Sequence, residues 1–291
     1  MTRAADAGPL PGSPSDGFGD PPPPSSWHDL LLEAYRLRLL RGLEEGLAQL
    51  GYRRIAGVDE AGRGSLAGPV VAAAVILDGR CLIPGVDDSK CLTAAARERL
   101  AAAIRARAIA SAVVQVPADV IDRVNILEAS RQAMNQALSQ LRPAPDCAVV
   151  DAVSLAGHLF PCLPVVRGDL ISYAVACASI LAKVERDRLM TELDRHYPSY
   201  GFAAHKGYAV PEHLSALATH GPCPIHRLTY APVLPRRQPA AGAAGAPGVA
   251  GPGPEGRRAR PQRPQPRRPR HSRQPLHSPH PSKPRQPKLG I

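Results

Sequence analysis

Four acidic residues stand where carboxylates could hold a metal ion. Asp59 and Glu60 are adjacent, between an apolar run at 55–58 and the glycine-rich stretch GRGSLAGP. Asp151 follows the apolar run CAVV, and Asp169 precedes a long segment crowded with small residues. Acids at the end of a buried strand or beside a buried helix are usually paired, hydrogen-bonded or bound to a metal. These four positions are therefore the first candidates for chemistry.

A cluster of such carboxylates needs a compensating cation. Two carboxylates about 4 Å apart repel each other by roughly 4 kcal/mol at an effective dielectric constant near 20. Hard divalent ions such as Mg²⁺ or Mn²⁺ accept oxygen ligands of this kind. Two simpler interpretations stay open: Asp59, Glu60 and Asp151 could be solvated acids at strand ends, and Asp169 could cap a helix. Spacing alone does not show that all four converge.

The elements that must position these acids alternate between strand and helix patterns. Strands are predicted at 55–58, 70–77, 109–116, 147–150 and 164–166, and helices at 93–107, 125–141, 170–197 and 211–219. Thr93 is expected to be the N-cap of the first of these helices. The alternation predicts an α/β domain at 51–235, with a mixed sheet flanked by helices and a small C-terminal helical extension.

The two ends of the chain have a different composition. Residues 1–25 contain a PPPP run and few groups to bury, so they are predicted to be disordered. Residues 26–50 are predicted to form an amphipathic helix attached loosely to the domain, because apolar residues recur at helical spacing at Leu31, Tyr35, Leu39 and Leu43.

The basic character of the chain belongs to its C-terminal tail, residues 236–291. The tail holds thirteen Lys and Arg and one acid, Glu255, so it carries +12 while the whole chain carries +11. The other 235 residues therefore sum to −1. A Pro/Arg-rich segment of this charge is typical of a disordered arm that binds polyanions.

Composition also excludes several classes of protein. No segment reaches the roughly 18 to 20 consecutive apolar residues that a transmembrane helix needs, and the N-terminus lacks the pattern of a signal peptide. We therefore expect a cytoplasmic protein without a membrane partner. The six cysteines include no CxxC pair, which argues against a zinc knuckle or a redox motif. A monomer is expected, since no apolar heptad appears.

An ordered series of motifs in this sequence resembles those of a known protein family. The stretch VDEAGRGSLAGPVVAAAVIL is similar to the signature of type 2 ribonuclease H, the bacterial ribonuclease HII. Further motifs of that family follow in its order: DSK at 88–90, NIL at 125–127, the central acid at Val150-Asp151, RGD at 167–169, ASILAKVERDR at 178–188, YPSYGF at 197–202, HKGY at 205–208, Gly221-Pro222 and His226-Arg227. The resemblance covers about residues 53–235.

The resemblance implies a ribonuclease H-like fold and a divalent-metal-dependent endoribonuclease. Such an enzyme cuts the RNA strand of RNA–DNA hybrids and cuts at ribonucleotides embedded in duplex DNA, leaving 3′-hydroxyl and 5′-phosphate ends. It also implies that Asp59, Glu60, Asp151 and Asp169 are the catalytic ligands of two Mn²⁺ or Mg²⁺ ions. The implied partners are therefore hybrid duplexes and ribonucleotide-containing DNA. Asp187, beside two arginines within a helix, is expected to form an ion pair and not to bind metal.

The same resemblance implies how substrate is read. The turn of Gly62, Arg63 and Gly64 would contact the ribose at the cut, since glycines allow close backbone approach to a sugar and its 2′-hydroxyl. Tyr208 would pack against the deoxyribose on the 3′ side. Phosphate contacts are expected from the basic side chains Arg63, Lys90, Lys183 and Lys206.

This chain departs from the family pattern at five positions, of which Arg167, Leu170 and Cys177 are conservative changes. Ser65 replaces the usual proline after GRG, which should loosen the turn. Ala152 stands where the bacterial sequences often have glycine, which could shift the loop after Asp151. No expected ligand is missing.

Two other functions stay open. A junction resolvase is another two-metal nuclease on this fold, but the GRG turn and Tyr208 argue against it. A non-catalytic nucleic-acid-binding protein could rely on the basic tail, but such a protein has no use for four acids. Metal-dependent cleavage of a duplex with one ribonucleotide separates these functions.

Overall fold

The computed structural model describes residues 26–79 and 82–233. The two segments predicted to be disordered, 1–25 and the basic tail 236–291, lie outside the described residues. The text below concerns the described part of the chain.

A five-stranded mixed sheet forms the centre of the fold. Its strands are β1 (Ile55–Ala61), β2 (Val70–Leu77), β3 (Ala108–Val116), β4 (Cys147–Asp151) and β5 (Cys162–Val165). They lie in the order β3-β2-β1-β4-β5. The pairs β1–β2 and β2–β3 are antiparallel, whereas β1–β4 and β4–β5 are parallel. The predicted mixed sheet flanked by helices is confirmed.

Helices cover both faces of this sheet. They are α1 (Trp27–Leu40), α2 (Gly42–Gln49), α3 (Ala94–Arg107), α4 (Ala118–Val124), α5 (Ile126–Gln140), α6 (Tyr173–His196), α7 (Phe202–His205) and α8 (Pro211–His220). Alternate residues of β2 face opposite layers: Ala72 and Ala74 pack with α5, and Ala73 and Val75 with α3 and α6. Burial on both sides explains why β2 is a continuous apolar run.

Helix α6 lies unusually close to β1. A side chain at Gly57 would overlap the backbone of Ala174, so only glycine fits at this crossing. Ten consecutive residues at the start of α6, 173–182, are buried. Small residues allow this approach, as the composition of the segment predicts, and the approach fixes the start of α6 against the strand that carries Asp59.

Local signals in the sequence predicted some boundaries and missed others. Thr93 is the N-cap of α3, as expected, and its hydroxyl accepts from the Ala96 N–H. The helix expected at 26–50 is wrong as a single element, because the chain breaks at Arg41 into α1 and α2. Of the predicted apolar stripe, Leu31, Tyr35 and Leu39 are exposed, and a different residue, Leu37, is buried against the domain.

Helix α6 begins three residues later than predicted. Residues 168–170 form a separate 3₁₀ turn, and Ser172 caps α6 by accepting from the Val175 N–H. The short helices α4 and α7 were not predicted. Of the helices in 26–79 and 82–233, none is both long enough and apolar enough to cross a membrane.

Candidate active site

Strands β1 and β4 bring two of the predicted acids side by side. The parallel register pairs Val58 with Val150, so the next residue on each strand, Asp59 and Asp151, follows at the same end of the sheet. Neighbouring strands lie about 4.8 Å apart, which puts the two carboxyl groups within repulsive range. Asp59 is 5% exposed, and its Oδ1 accepts from the Glu60 N–H at 2.7 Å.

Asp169 joins this group from the 3₁₀ turn Gly168–Leu170. The Gly168 N–H donates to Asp151 Oδ1 at 2.7 Å, which ties the turn to the end of β4. Asp169 itself is 7% exposed. Because Ser172 caps α6, the simpler interpretation of Asp169 as that helix's N-cap does not hold. The sheet and the turn before α6 thus place the four predicted carboxylates at the same end of the sheet.

The carboxylate cluster consists of Asp59, Glu60, Asp151 and Asp169, and burial and mutual repulsion make the first three of these side chains hard to ionise. Burial raises the pKa of Asp59 well above its usual range, and repulsion from Glu60 and Asp151 raises it further. Burial is also the largest cause of the raised pKa values of Glu60 and Asp151. Full ionisation of the cluster therefore requires positive charge nearby.

Two basic side chains supply part of that charge. Lys90 Nζ lies 3.3 Å from Asp169 Oδ2, and Arg63 Nη1 lies 3.0 Å from Glu60 Oε1. The second oxygen of Glu60, Oε2, is buried without a hydrogen-bond partner among the described residues. These two basic residues, which the sequence assigned to phosphate, thus contact the acids here.

The cluster has the right chemistry for a hard divalent cation. It offers only carboxylate oxygens, and one of them is buried and unpartnered. In their present conformations, no three His, Cys, Asp or Glu side chains among the described residues are grouped closely enough to hold one ion. The fit therefore rests on the donor type and the excess negative charge, and coordination requires side-chain rearrangement away from Lys90 and Arg63.

The two glycines of the GRG turn are glycine for different reasons. Gly62 has φ +95°, and a Cβ there would overlap the guanidinium of Arg186. Gly64 has an ordinary φ, and a Cβ there would meet nothing within 4 Å. The fold therefore requires glycine at 62. At 64 the space beside the backbone is open, which is what close approach by a ligand needs.

Two fully buried arginines hold this turn from beneath. Arg227 donates to three turn carbonyls, at Gly62, Arg63 and Gly68. Arg186 donates to Ser65 Oγ at 2.7 Å and to the carbonyls of Ala67, Pro69 and Lys206. Ser65 in turn donates to the Gly62 carbonyl at 3.2 Å. The serine that replaces proline thus adds hydrogen bonds to the turn, contrary to the expected loosening.

Tyr208 lies against this arginine layer. Its ring centroid is 5.3 Å from Arg186 Cζ and 5.8 Å from Lys183 Nζ. Lys183 Nζ is 2.6 Å from Asp187 Oδ1, and Arg97 also pairs with Asp187, so the ion-pair role expected of Asp187 is confirmed. Lys206 Nζ donates to two neutral oxygens, the Thr191 hydroxyl and the Ala203 carbonyl.

A pair of buried histidines fixes the backbone of Tyr208. The Cys223 N–H donates to His226 Nδ1, so His226 carries its proton on Nε2 and donates to His213 Nε2 at 3.1 Å. His213 then donates from Nδ1 to the Tyr208 carbonyl at 2.9 Å. Both rings are neutral in this chain of bonds, and burial lowers the pKa of each.

Sequence reasoning missed the residues that support the turn and Tyr208. Arg186, Arg227, His213 and His226 are buried, yet charged and polar side chains predict exposure. The available signal was the position of three of them inside family motifs, ERDR and IHR. Ala152, the second departure from the family, has φ +49°, a left-handed conformation that explains why glycine is favoured there.

Comparison with known proteins identifies one family that this chain matches over most of its described residues. Residues 56–233 match the family model described as ribonuclease HII. The chain is 50% identical over 203 residues to the ribonuclease HII of Ruminiclostridium cellulolyticum, covering 70% of this chain and 79% of that protein. It is 53% identical over 183 residues to the ribonuclease HII of Geotalea daltonii, covering 63% of this chain and 85% of the relative.

Solved structures confirm the predicted ribonuclease H-like fold. Ribonuclease H2 from Pyrococcus horikoshii superposes with a TM-score of 0.54 at 28% identity, covering 62% of this chain and 95% of that one. Ribonuclease HII from Archaeoglobus fulgidus, solved in complex with PCNA, superposes with a TM-score of 0.51 at 29% identity, covering 61% and 95%.

Proposed function

Because the chain belongs to the ribonuclease HII family, and so is a ribonuclease H, we propose that it cuts the RNA strand of RNA–DNA hybrids and cuts at single ribonucleotides in duplex DNA. The observation that carries this proposal is the convergence of buried carboxylates beside a glycine turn with open space at Gly64. The expected products carry 3′-hydroxyl and 5′-phosphate ends.

Ribonucleases H depend on divalent metal, and we assign the metal ligands to Asp59, Glu60, Asp151 and Asp169. Mg²⁺ or Mn²⁺ at such a site supplies a nucleophilic water at neutral pH and neutralises charge on the leaving oxygen. Asp59 and Asp169 are positioned by rigid elements, β1 and the turn before α6. Burial raises the pKa of Asp59, so a bound cation would favour the charged form of this side chain.

The turn and Tyr208 supply substrate reading in this proposal. The backbone at Gly64 would approach the ribose and its 2′-hydroxyl, and Tyr208 would pack on the deoxyribose on the 3′ side of the cut. Arg63, Lys90, Lys183 and Lys206 would contact phosphates. Lys90, whose side chain is 76% exposed, can exchange Asp169 for a phosphate without unfolding any element.

One cleavage assay tests the proposal. The full chain is incubated with a uniform RNA–DNA hybrid, a DNA duplex with one ribonucleotide, the matching all-DNA duplex and a four-way DNA junction. We expect cleavage of the first two only, loss of activity with a chelator, and recovery with Mn²⁺ or Mg²⁺. Cleavage of the all-DNA duplex or of the junction alone would refute the proposal, as would activity that survives chelation.

A matched acid variant separates ligands from other acids. Asp187→Asn removes a carboxylate that pairs with Lys183 and Arg97 and is not proposed to bind metal. It should retain far more activity than Asp59→Asn. Equal loss in both variants would mean that the general charge of the region, and not the assigned ligand set, determines the rate.

We propose further that the domain at 51–235 acts as a monomer and that the tail at 236–291 strengthens binding to duplexes without reading sequence. Removal of the tail should make the dependence of binding on salt shallower, by roughly 0.9 for each phosphate that the tail neutralises in the full chain. The position of cleavage should not change. An unchanged salt dependence would show that the tail binds no phosphate.

A further inference from the structure

Arg186 lies between the two elements that we propose read the substrate. Its Nη2 donates to Ser65 Oγ and the Ala67 carbonyl on the turn side, and to the Lys206 carbonyl on the side of Tyr208, at 2.7, 3.2 and 3.0 Å. Its guanidinium also faces the Tyr208 ring, with Cζ 5.3 Å from the ring centroid. One planar group thus contacts both elements.

Arg186 is a fully buried basic side chain whose hydrogen bonds go to uncharged groups. Its relative exposure is 0%, and every hydrogen-bond acceptor it has among the described residues is a neutral oxygen. Its Nη1 is buried and has no hydrogen-bond partner there. Burial lowers its pKa to about 10, so the guanidinium is still charged at neutral pH. A buried cation without a carboxylate partner is costly, and the Tyr208 ring face is the group that offsets part of this cost.

The other buried arginine has a narrower set of contacts. Arg227 donates to the carbonyls of Gly62, Arg63 and Gly68, all on the turn, and its stacked ring is Tyr230, at 5.2 Å. Arg227 therefore connects the turn to Tyr230, to whose hydroxyl it also donates at 3.3 Å. Arg186 holds the turn and Tyr208 together, so the two residues form a natural comparison.

We propose that Arg186 is a positioning residue that sets the distance between the GRG turn and the Tyr208 ring, and so fixes the enzyme's preference for a ribose followed by a deoxyribose. This inference rests on the proposed function. A ribose at the cut is present in both a uniform hybrid and a single-ribonucleotide duplex. Only the second substrate has a deoxyribose on the 3′ side, where Tyr208 would pack. Ser65 is part of this device, because its hydroxyl accepts the shortest hydrogen bond of Arg186.

The test measures kcat/KM on both substrates and takes the ratio of single-ribonucleotide duplex to uniform hybrid. Arg186→Lys keeps the charge but loses the planar fork. We expect it to lower the ratio at least about tenfold, and we expect the same of Tyr208→Ala. In the Tyr208→Ala background, Arg186→Lys should change the ratio by less than about twofold, since coupled residues are not additive.

Two further variants keep the test decisive. Arg227→Lys should lower activity on both substrates alike and leave the ratio within about twofold. Ser65→Ala removes one hydrogen-bond acceptor of Arg186 without a change in charge, and it should lower the ratio by about threefold. This variant therefore tests the role of Arg186 even if Arg186→Lys fails to fold. Thermal denaturation of each variant separates loss of fold from loss of preference.

The outcomes distinguish this inference from the proposed function. If the wild-type chain cuts neither substrate, the proposed function is wrong. If the wild type cuts both, but Arg186→Lys and Ser65→Ala lower the two rates equally, Arg186 is only structural and the inference is overturned. Additive effects of Arg186→Lys and Tyr208→Ala on the ratio would overturn it as well.

Discussion

The carboxylate cluster and the GRG turn are separated by one residue in sequence, yet they are stabilised by opposite means. In the cluster, buried groups of like charge repel each other, and burial raises the pKa values of Asp59, Glu60 and Asp151. In the turn, the buried guanidinium groups of Arg186 and Arg227 donate hydrogen bonds to neutral oxygens. Full ionisation of the cluster would need added positive charge, whereas the turn carbonyls already accept hydrogen bonds from buried arginines.

This difference explains why the two regions should respond differently to substitution. Neutralising an acid in the cluster removes a repulsion and so should spare the fold. Changing the turn disturbs its hydrogen bonds with Arg186 and Arg227, which connect it to α6 and to the segment after α8. Substitutions in the cluster are expected to lower activity without lowering stability, whereas turn substitutions that disturb these hydrogen bonds are expected to lower stability.

The largest expected effect is on the carboxylate cluster. Each of the substitutions Asp59→Asn, Glu60→Gln, Asp151→Asn and Asp169→Asn should lower kcat at least about a hundredfold, since a metal ligand stabilises transition-state charge. The free energy of unfolding, measured by urea denaturation without metal, should stay the same or rise. A variant with near-normal kcat would remove its residue from the ligand set, and a large loss of stability would contradict the comparison.

The next effect separates the two glycines of the turn. Gly62→Ala should lower the free energy of unfolding by about 2 to 4 kcal/mol, because a Cβ at φ +95° also meets the Arg186 guanidinium. Gly64→Ala should change it by less than about 0.5 kcal/mol, since its Cβ enters open space.

Among folded molecules, Gly64→Ala should lose more activity than Gly62→Ala. Gly64→Ala places a methyl group where the ribose would approach, so cleavage of both substrates should fall at least about tenfold. Chemical denaturation and cleavage measured on the same preparations check both statements. Full activity in Gly64→Ala would show that the sugar does not approach the turn at this residue.

The sequence pointed to the four acids but not to the residues that surround them, for a physical reason. Strand periodicity located β1 and β4, and acids at strand ends are rare enough to be informative. The parallel register that puts Asp59 beside Asp151 could not be predicted, because it depends on pairing across 92 residues. Arg186 and Arg227 were missed because a charged side chain predicts exposure, and only tertiary carbonyls make burial tolerable.

Acid should act in opposite directions on the carboxylate cluster and on the buried histidines that support Tyr208. Burial and His213 lower the pKa of His226 to about 4, whereas an unfolded chain titrates near 6.5. Between those values only the unfolded chain binds the proton, so stability falls as pH drops below about 6.5, by at most about 2 kcal/mol at pH 5. For Asp59 the folded pKa is raised, so the folded protein binds its proton first and acid stabilises it.

Variants of the two residues should reveal these opposite signs. His226→Gln keeps an amide donor toward His213 but does not titrate, so its stability should fall less between pH 7 and 5 than that of the wild type. Asp59→Asn removes the opposing contribution, so its stability should fall more. Urea denaturation of metal-free protein at the two pH values measures both, and parallel pH profiles in the three proteins would contradict the assignment.

The smallest expected effect concerns Ala152, which follows Asp151 in the cluster with φ +49°. A left-handed alanine costs roughly 1 to 2 kcal/mol, and glycine removes this cost while losing about 0.5 to 1 kcal/mol to the entropy of the unfolded chain. Ala152→Gly should therefore raise the free energy of unfolding by about 0.5 kcal/mol. Its backbone N–H already donates to the Val165 carbonyl at 3.0 Å, so glycine needs no new conformation and kcat should not change. A loss of kcat with gained stability would mean that the strained alanine holds Asp151 in place, and the cluster would then depend on backbone geometry as the turn does.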